Sequence, residues 1–212
     1  MAEIIINKLG PIENCELTID EFMVFTGPQS SGKSTIAKSV FYFKSVRNVI
    51  MQLLRRQHIY SEERMDLSLK NRLIRELRSN FLQTFGSTWC MDKKMYIRYE
   101  YTEDVFIEIS LRDDPMSPNY IWVTISSELT AFLGQLEVDS YAGDMIADLE
   151  FQDAMRQYIN EFFDDDNEIV YIPAGRSMIT LLSAQLNYVY SMMDDMQRRS
   201  IDYCTQNYLE RI

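Results

Sequence analysis

An α/β fold with an antiparallel β layer and a helical insertion is the architecture this sequence predicts, and three observations carry it. A glycine-containing stretch, "TGPQSSGKST" (residues 26–35), stands between an apolar run and a segment of helical period. A strand–turn–strand pattern precedes it. Residues 93–127 then switch to alternation rich in β-branched and aromatic side chains. With 212 residues, 46% hydrophobic and 12% aromatic, the chain can bury a sizeable core, and a single domain over 1–212 is expected.

The first two strands are "EIIINKL" (3–9) and "CELTI" (15–19), joined by "GPIEN", whose Gly, Pro and Asn turn the chain into a hairpin. "FMVFTG" (22–27) is a continuous apolar run, as expected of a strand buried on both faces. From Ser34 the apolar residues Ile36, Val40, Phe43, Val46, Val49, Ile50, Leu53 and Leu54 recur at spacings of three and four, predicting one helix to about Arg56. A second helix is expected over Glu62 to Phe85, with Leu67, Leu69, Leu73, Ile74, Leu77 and Phe81 inward and "KNRLIRELR" as a basic outer face. The region from about 46 to 92 is therefore helical. "KKMYIRYEYT", "DVFIEISLRD" and "NYIWVTIS" form an antiparallel meander over about 93–127. A helix is expected over 147–163, a buried-type strand over "IVYIPAG" (169–175), and helix again from "MITLLSAQLNYVYSMM" to Ile212, where no glycine or proline stops it. The expectation is that the chain is the N-terminal part of a longer protein.

The net charge of −11 argues against a surface that wraps nucleic acid unaided, because phosphate backbones are bound by clustered Lys and Arg; whether DNA is touched is left open. Cys15, Cys90 and Cys204 form no CxxC pair, so neither a zinc knuckle nor a disulfide framework is indicated, and a reducing cytoplasm is the expected compartment. No run of 18 apolar residues occurs and the N-terminus lacks a leader's apolar stretch, so no membrane partner is expected.

Gly27, Gly32, Lys33 and Ser34 match G-x-x-x-x-G-K-[ST] in full, between a predicted strand and a predicted helix, which is the context a phosphate-binding P-loop requires. Glycines let the backbone turn so that the amides from about Ser30 and Ser31 to Thr35 converge on phosphate oxygens at a helix N-terminus. Lys33, the candidate catalytic residue, would neutralise the β and γ oxygens. The Ser34 hydroxyl would ligate Mg²⁺, and Thr35 would reach the α-phosphate. ATP and Mg²⁺ are the expected cofactors. Pro28 lacks an N–H and only stiffens the start of the loop.

The segment "EIIINKLGPIENCELTIDEFMVFTGPQSSGKST" resembles the N-terminus of SMC-like, ABC-type P-loop ATPases of bacteria, OLD-like enzymes among them, and "YIPAGRS" (171–177) is similar to an element that follows their variable insertion. The resemblance covers residues 3–45 and 169–177. It implies an ABC-ATPase-like P-loop fold and a homodimer closing through ATPase heads with nucleotide sandwiched between them. Hydrolysis to reset the dimer, an effector protein partner and a link to antiviral, anti-phage defence are also implied. Family members further carry a serine-glycine signature, an apolar run ending in Asp-Glu (Walker B) and a late switch residue, often His. None follows the loop here, and the lone His58 closes the first helix. The chain is thus expected to supply the Walker A lobe, inactive until a C-terminal lobe completes it.

Other candidates have competing readings. "LTIDE" (17–21) imitates Walker B, yet it precedes the loop and reads as an exposed strand end. Lys8 is either a basic group near the nucleotide or an exposed turn lysine. Arg176 is either a phosphate or interface arginine, as a planar guanidinium suits, or a helix-start residue with Ser177 as N-cap. "DDDNE" (164–168) looks like a metal cluster but reads as a solvated loop, since consecutive Asp residues cannot all face one ion. Two other functions remain open: a small P-loop kinase, for which the length suits but the leading hairpin does not, and a non-catalytic, nucleotide-dependent interaction module.

Overall fold

The computed structural model describes residues 1–59, 67–114, 117–141, 149–173, 188, 191–194, 197, 201–209 and 211. Strands β1 (Ala2–Leu9), β2 (Ile12–Ile19), β3 (Tyr96–Glu100), β4 (Phe106–Asp114) and β5 (Ser117–Ile125) form one five-stranded sheet in the order β2-β1-β3-β4-β5. The N-terminal hairpin and the meander, far apart in sequence, join through β1 and β3, with Ile6 opposite Ile97 and Ile4 opposite Tyr99. Every pairing is antiparallel. The fold is α/β with an antiparallel layer, and no parallel pair occurs among the described residues.

Alternation sets the sheet's two faces. Ile4, Ile6, Ile97, Tyr99, Ile107, Ile109, Ile121 and Val123 point to one side and are buried. The other side carries Glu3, Arg98, Glu100, Glu108 and Trp122, with Arg98 stacked on Phe106 and Arg112 on Trp122.

Helices cover the apolar face. The long helix expected from Ser34 is two, α1 (Lys33–Lys44) and α2 (Val46–Ile59), separated at Ser45. The Ser45 hydroxyl donates to the Tyr42 carbonyl, a local bond that competes with helix continuation. Helix α3 (Leu69–Phe85) starts at the N-cap Ser68 and ends at Gly86, whose positive φ of 84° suits glycine. Residues 62–66 of the expected second helix lie outside the described residues, and Leu67 is exposed rather than inward. The expected basic outer face of α3 is partly engaged: the Arg78 Nε donates to the Ile121 carbonyl at 3.0 Å, and Arg72 pairs with Glu137. A 3-10 turn (Thr88–Cys90) follows. Helix α4 (Ser127–Tyr141) has no counterpart among the sequence expectations, whereas α5 (Leu149–Phe162) does. The last element is α6 (Tyr203–Leu209). Helix α3 touches α1, α2, α4, α6 and β5, and so ties the helical layer together.

Two apolar runs expected as buried strands, 22–27 and 169–175, belong to no strand over 22–27 and 169–173, and residues 174 and 175 lie outside the described residues. Phe22 is 84% exposed, Val24 68%, Val170 47% and Ile172 56%. A strand covered on both faces needs ladder partners, and none of the described strands offers one. The Tyr171 ring does pack on Phe41 of α1, at 5.7 Å between centroids.

Candidate functional site

The loop between residue 22 and α1 is built on left-handed backbone. Gly27 has φ 148°, Ser30 φ 62° and Gly32 φ 96°. At Gly32 only glycine fits, because a Cβ would lie 2.7 Å from Cγ1 of the buried Ile12 and 3.5 Å from Cγ of Pro11. The tip of the β1–β2 hairpin therefore backs the loop. Gly10 sits there too, facing the Thr35 hydroxyl.

Gly32 is also the N-cap of α1 and provides no side-chain cap, and the first turn holds no acidic residue. The first helical bond runs from the Ile36 amide to the Gly32 carbonyl at 2.9 Å. The amides of Lys33, Ser34 and Thr35 thus precede the intrahelical ladder, at the positive end of the helix dipole. The Lys33 Nζ folds back over the loop and donates to the carbonyls of Gly27 at 2.8 Å and Pro28 at 2.5 Å, and to the Ser31 Oγ at 3.2 Å. Among the described residues it is held by neutral oxygens of the loop and by no carboxylate. An anion with stronger acceptors has only weak partners to displace.

A cavity of about 560 Å³ adjoins this loop, lined by Ser34 and Thr35, by Lys8 and Gly10 of the hairpin, by Lys38 of α1, and by residues 84–92. Thr84 and Phe85 come from the end of α3, and Ser87, Cys90, Met91 and Asp92 from the segment after it. Lys8, in left-handed conformation with φ 54°, stands opposite Glu13 across the hairpin and is ion-paired with it. The hydrogen bond that the Lys8 Nζ donates to Glu13 raises the ammonium pKa above its ordinary value. Lys8 therefore lies in the cavity wall, not in an isolated turn. Lys38 donates to Asp202 at 3.0 Å. Burial pulls the Lys38 pKa down, but the Asp202 bond and charge outweigh it and leave the pKa raised.

The seven P-loop residues expected from sequence, Gly27, Ser30, Ser31, Gly32, Lys33, Ser34 and Thr35, lie on one loop and helix start, and two of them, Ser34 and Thr35, line the same cavity as Lys8. Ser30, Ser31 and Ser34 are exposed, with the Ser34 hydroxyl at the cavity. Arg176 and Ser177 lie outside the described residues. Asp20 and Glu21 are exposed beyond the end of β2, as a strand end would be. The "DDDNE" segment is not uniformly solvated. Asp165 is half-buried against Lys44 and Arg47, while Asp164 and Asp166 are exposed, and no group of three or more metal-ligating residues occurs among the described residues. Sequence reasoning missed Lys38 and the 84–92 wall. Lys38 follows Ser34 by one helical turn, a spacing that marks one face. The 84–92 wall has no local signal.

The donors present suit a polyphosphate: convergent free amides, a movable ammonium and a hydroxyl at the helix start. For Mg²⁺ the protein would contribute Ser34, the remaining ligands being phosphate oxygens and water, as this ion tolerates. No protein-family model, curated protein or solved structure matches the chain. The loop's own geometry is what speaks for its chemistry.

No helix among the described residues is long and apolar enough to cross a membrane.

Proposed function

We infer that this chain is the ATP-binding, Walker A lobe of an SMC-like ABC-type P-loop ATPase, acting by ATP-dependent head dimerisation and by hydrolysis once a C-terminal lobe completes it. The observation that carries the reading is the loop itself: left-handed Gly27 and Gly32, an uncapped helix start, and Lys33 stretched over the carbonyls of Gly27 and Pro28. In this reading the triphosphate lies along residues 27–35 and the nucleoside enters the adjoining cavity between the hairpin and the 84–92 segment. Lys33 holds the β and γ oxygens. Ser34 places its hydroxyl on Mg²⁺.

The need for completion is supported by the two unpaired apolar runs. Phe22 and Val24 lead into the loop, Val170 and Ile172 flank Tyr171 on α1, and all four are exposed. A P-loop fold has a parallel layer at this place, and these runs are the candidates for it once further strands pair with them. Antiviral defence and an effector partner belong to the same proposal at a coarser level, on the sequence resemblance alone.

Isothermal calorimetry with Mg²⁺ and ATP tests the reading. Saturable binding is expected for the wild type, with a loss of at least about tenfold in Lys33→Ala, the scale of one charge-assisted contact. Equal affinity in both proteins would remove the loop from the function.

A further inference from the structure

A second cavity, of about 460 Å³, lies where α2, the end of α5 with the loop after it, and α6 meet. Among the described residues it shares no wall residue with the cavity beside the P-loop. Its volume falls within the roughly 300–1,000 Å³ of small-molecule sites. Four arginines line it, Arg47, Arg55, Arg156 and Arg211, against the acidic balance of the chain as a whole.

Two of these are committed to structure. Arg47 is 4% exposed, and it donates to the Asn160 side chain at 3.0 Å and the Asn167 carbonyl at 2.8 Å. Arg211 pairs with Glu168 and donates to the Ile169 carbonyl at 2.8 Å. The other two are uncommitted. The Nε of Arg55 is shut off from solvent and has no acceptor, a state that buried donors rarely keep without a reason. Arg156 has no hydrogen bond or ion pair among the described residues. On the same wall the side-chain amides of Asn48, Gln52 and Asn207 and the carboxylate of Asp166 have no partner among the described residues.

We propose that this cavity is a second ligand site, separate from the P-loop, and that it takes the phosphate monoester of a small sugar or polyol. The division of chemistry on the wall supports that class. Planar guanidinium forks match the oxygens of a phosphate, and Arg55 and Arg156 supply two of them. Amides and a carboxylate, which donate and accept, match hydroxyl groups, and Asn48, Gln52, Asn207 and Asp166 supply those. A bare carboxylate ligand would leave most of these groups unmatched. A nucleic-acid strand would meet the strongly acidic remainder of the surface.

The site reaches the junction that ends the helix after the loop. Ser45, at the end of α1, contacts the Tyr203 hydroxyl at 3.1 Å, and both residues line this cavity.

Calorimetry with ribose 5-phosphate at constant ionic strength, on the Lys33→Ala protein, tests the proposal without involving the P-loop. Saturable binding is expected, with no binding of unphosphorylated ribose. Arg156→Gln, at an exposed position, should weaken it at least about tenfold without changing the melting temperature. Arg55→Gln should do the same, with Arg55→Lys retaining only part of the affinity because an ammonium lacks the planar fork. Absence of saturable binding, affinity unchanged in Arg156→Gln, or equal binding of ribose would overturn the assignment. The outcome is independent of whether ATP binds at residues 27–35.

Discussion

Gly32 shows how much one missing side chain holds in place. Its φ of 96° and the 2.7 Å approach to Ile12 that any Cβ would make mean that the loop and the hairpin tip are fitted to each other at this residue. Gly32→Ala combines left-handed strain with overpacking against a buried isoleucine. Destabilisation on the order of 3 kcal/mol is expected in urea unfolding, together with loss of ATP affinity. Stability within error of the wild type would contradict the close approach. The cysteines differ just as sharply. Burial, reinforced by the Asp202 carboxylate, pushes the Cys204 thiol up to about 12, and its side chain is fully enclosed. Cys90 is exposed beside the P-loop cavity. Since the thiolate is the reactive form, iodoacetamide at pH 8 should label Cys90 in the native protein and Cys204 only after unfolding, as read by peptide mass spectrometry. Early labelling of Cys204 would show that the packing of α6 on the helical layer does not enclose it.

At the scale of elements, the break between α1 and α2 is organised by a residue 120 positions away. Lys44 and Arg47, on either side of Ser45, both reach Asp165, at 3.0 Å and 3.5 Å, in the turn after α5. Burial is the largest influence on this carboxyl and raises its pKa, but the Lys44 bond and the Arg47 charge together hold it below the ordinary value. A carboxyl whose folded pKa is depressed contributes stability that is fully present above its unfolded value, roughly 3.9, and lost as pH falls through the folded value. Asp165→Asn should therefore cost roughly 2 kcal/mol at pH 7, the scale of a hydrogen bond to a charged group. It should also flatten the pH dependence of stability below about pH 4. Denaturant melts of both proteins at pH 7 and pH 3 measure this, and parallel pH profiles would show that Asp165 does not clamp the helix break.

Across the whole molecule, aromatic rings connect the layers. Phe43 of α1 stacks on Tyr99 of β3, Tyr99 meets Tyr101, Tyr101 meets Phe163 beyond α5, and Phe162 lies parallel to Phe132 of α4 at 3.8 Å. The Tyr101 hydroxyl donates to the Phe43 carbonyl at 2.7 Å, so the polar end of a buried ring is satisfied by the helix that the P-loop begins. Among the described residues the P-loop is tied to the sheet through α1 and the hairpin tip. Transfer of a phosphoryl group to water also needs an oriented nucleophile and charge stabilisation on the far side of the γ-phosphate. The 212-residue chain should therefore bind ATP yet turn it over barely above background, gaining activity when a C-terminal lobe is added. Rapid Lys33-dependent turnover by the chain alone would oppose the ABC reading, and stimulation by a small-molecule acceptor would favour a kinase.

The glycine loop before α1 was legible because its pattern is local: glycines and a Lys-Ser pair within ten residues, with left-handed backbone at Gly27 and Gly32. The hairpin and the meander were legible for the same reason, through turn residues and alternation. Helix α4 has its apolar residues Leu129, Phe132, Leu133 and Leu136 at helical spacing, but a short window directly after a strand is an ambiguous signal. The apolar runs at 22–27 and 169–173 have the composition of buried strands, yet pairing is a property of two segments and cannot be read from one. Only the tertiary structure brought residues 84–92 to the P-loop cavity, set Asp165 between Lys44 and Arg47, and gathered Arg55 and Arg156 around a single cavity. These groupings depend on contacts between distant parts of the chain, which no periodicity within one segment encodes.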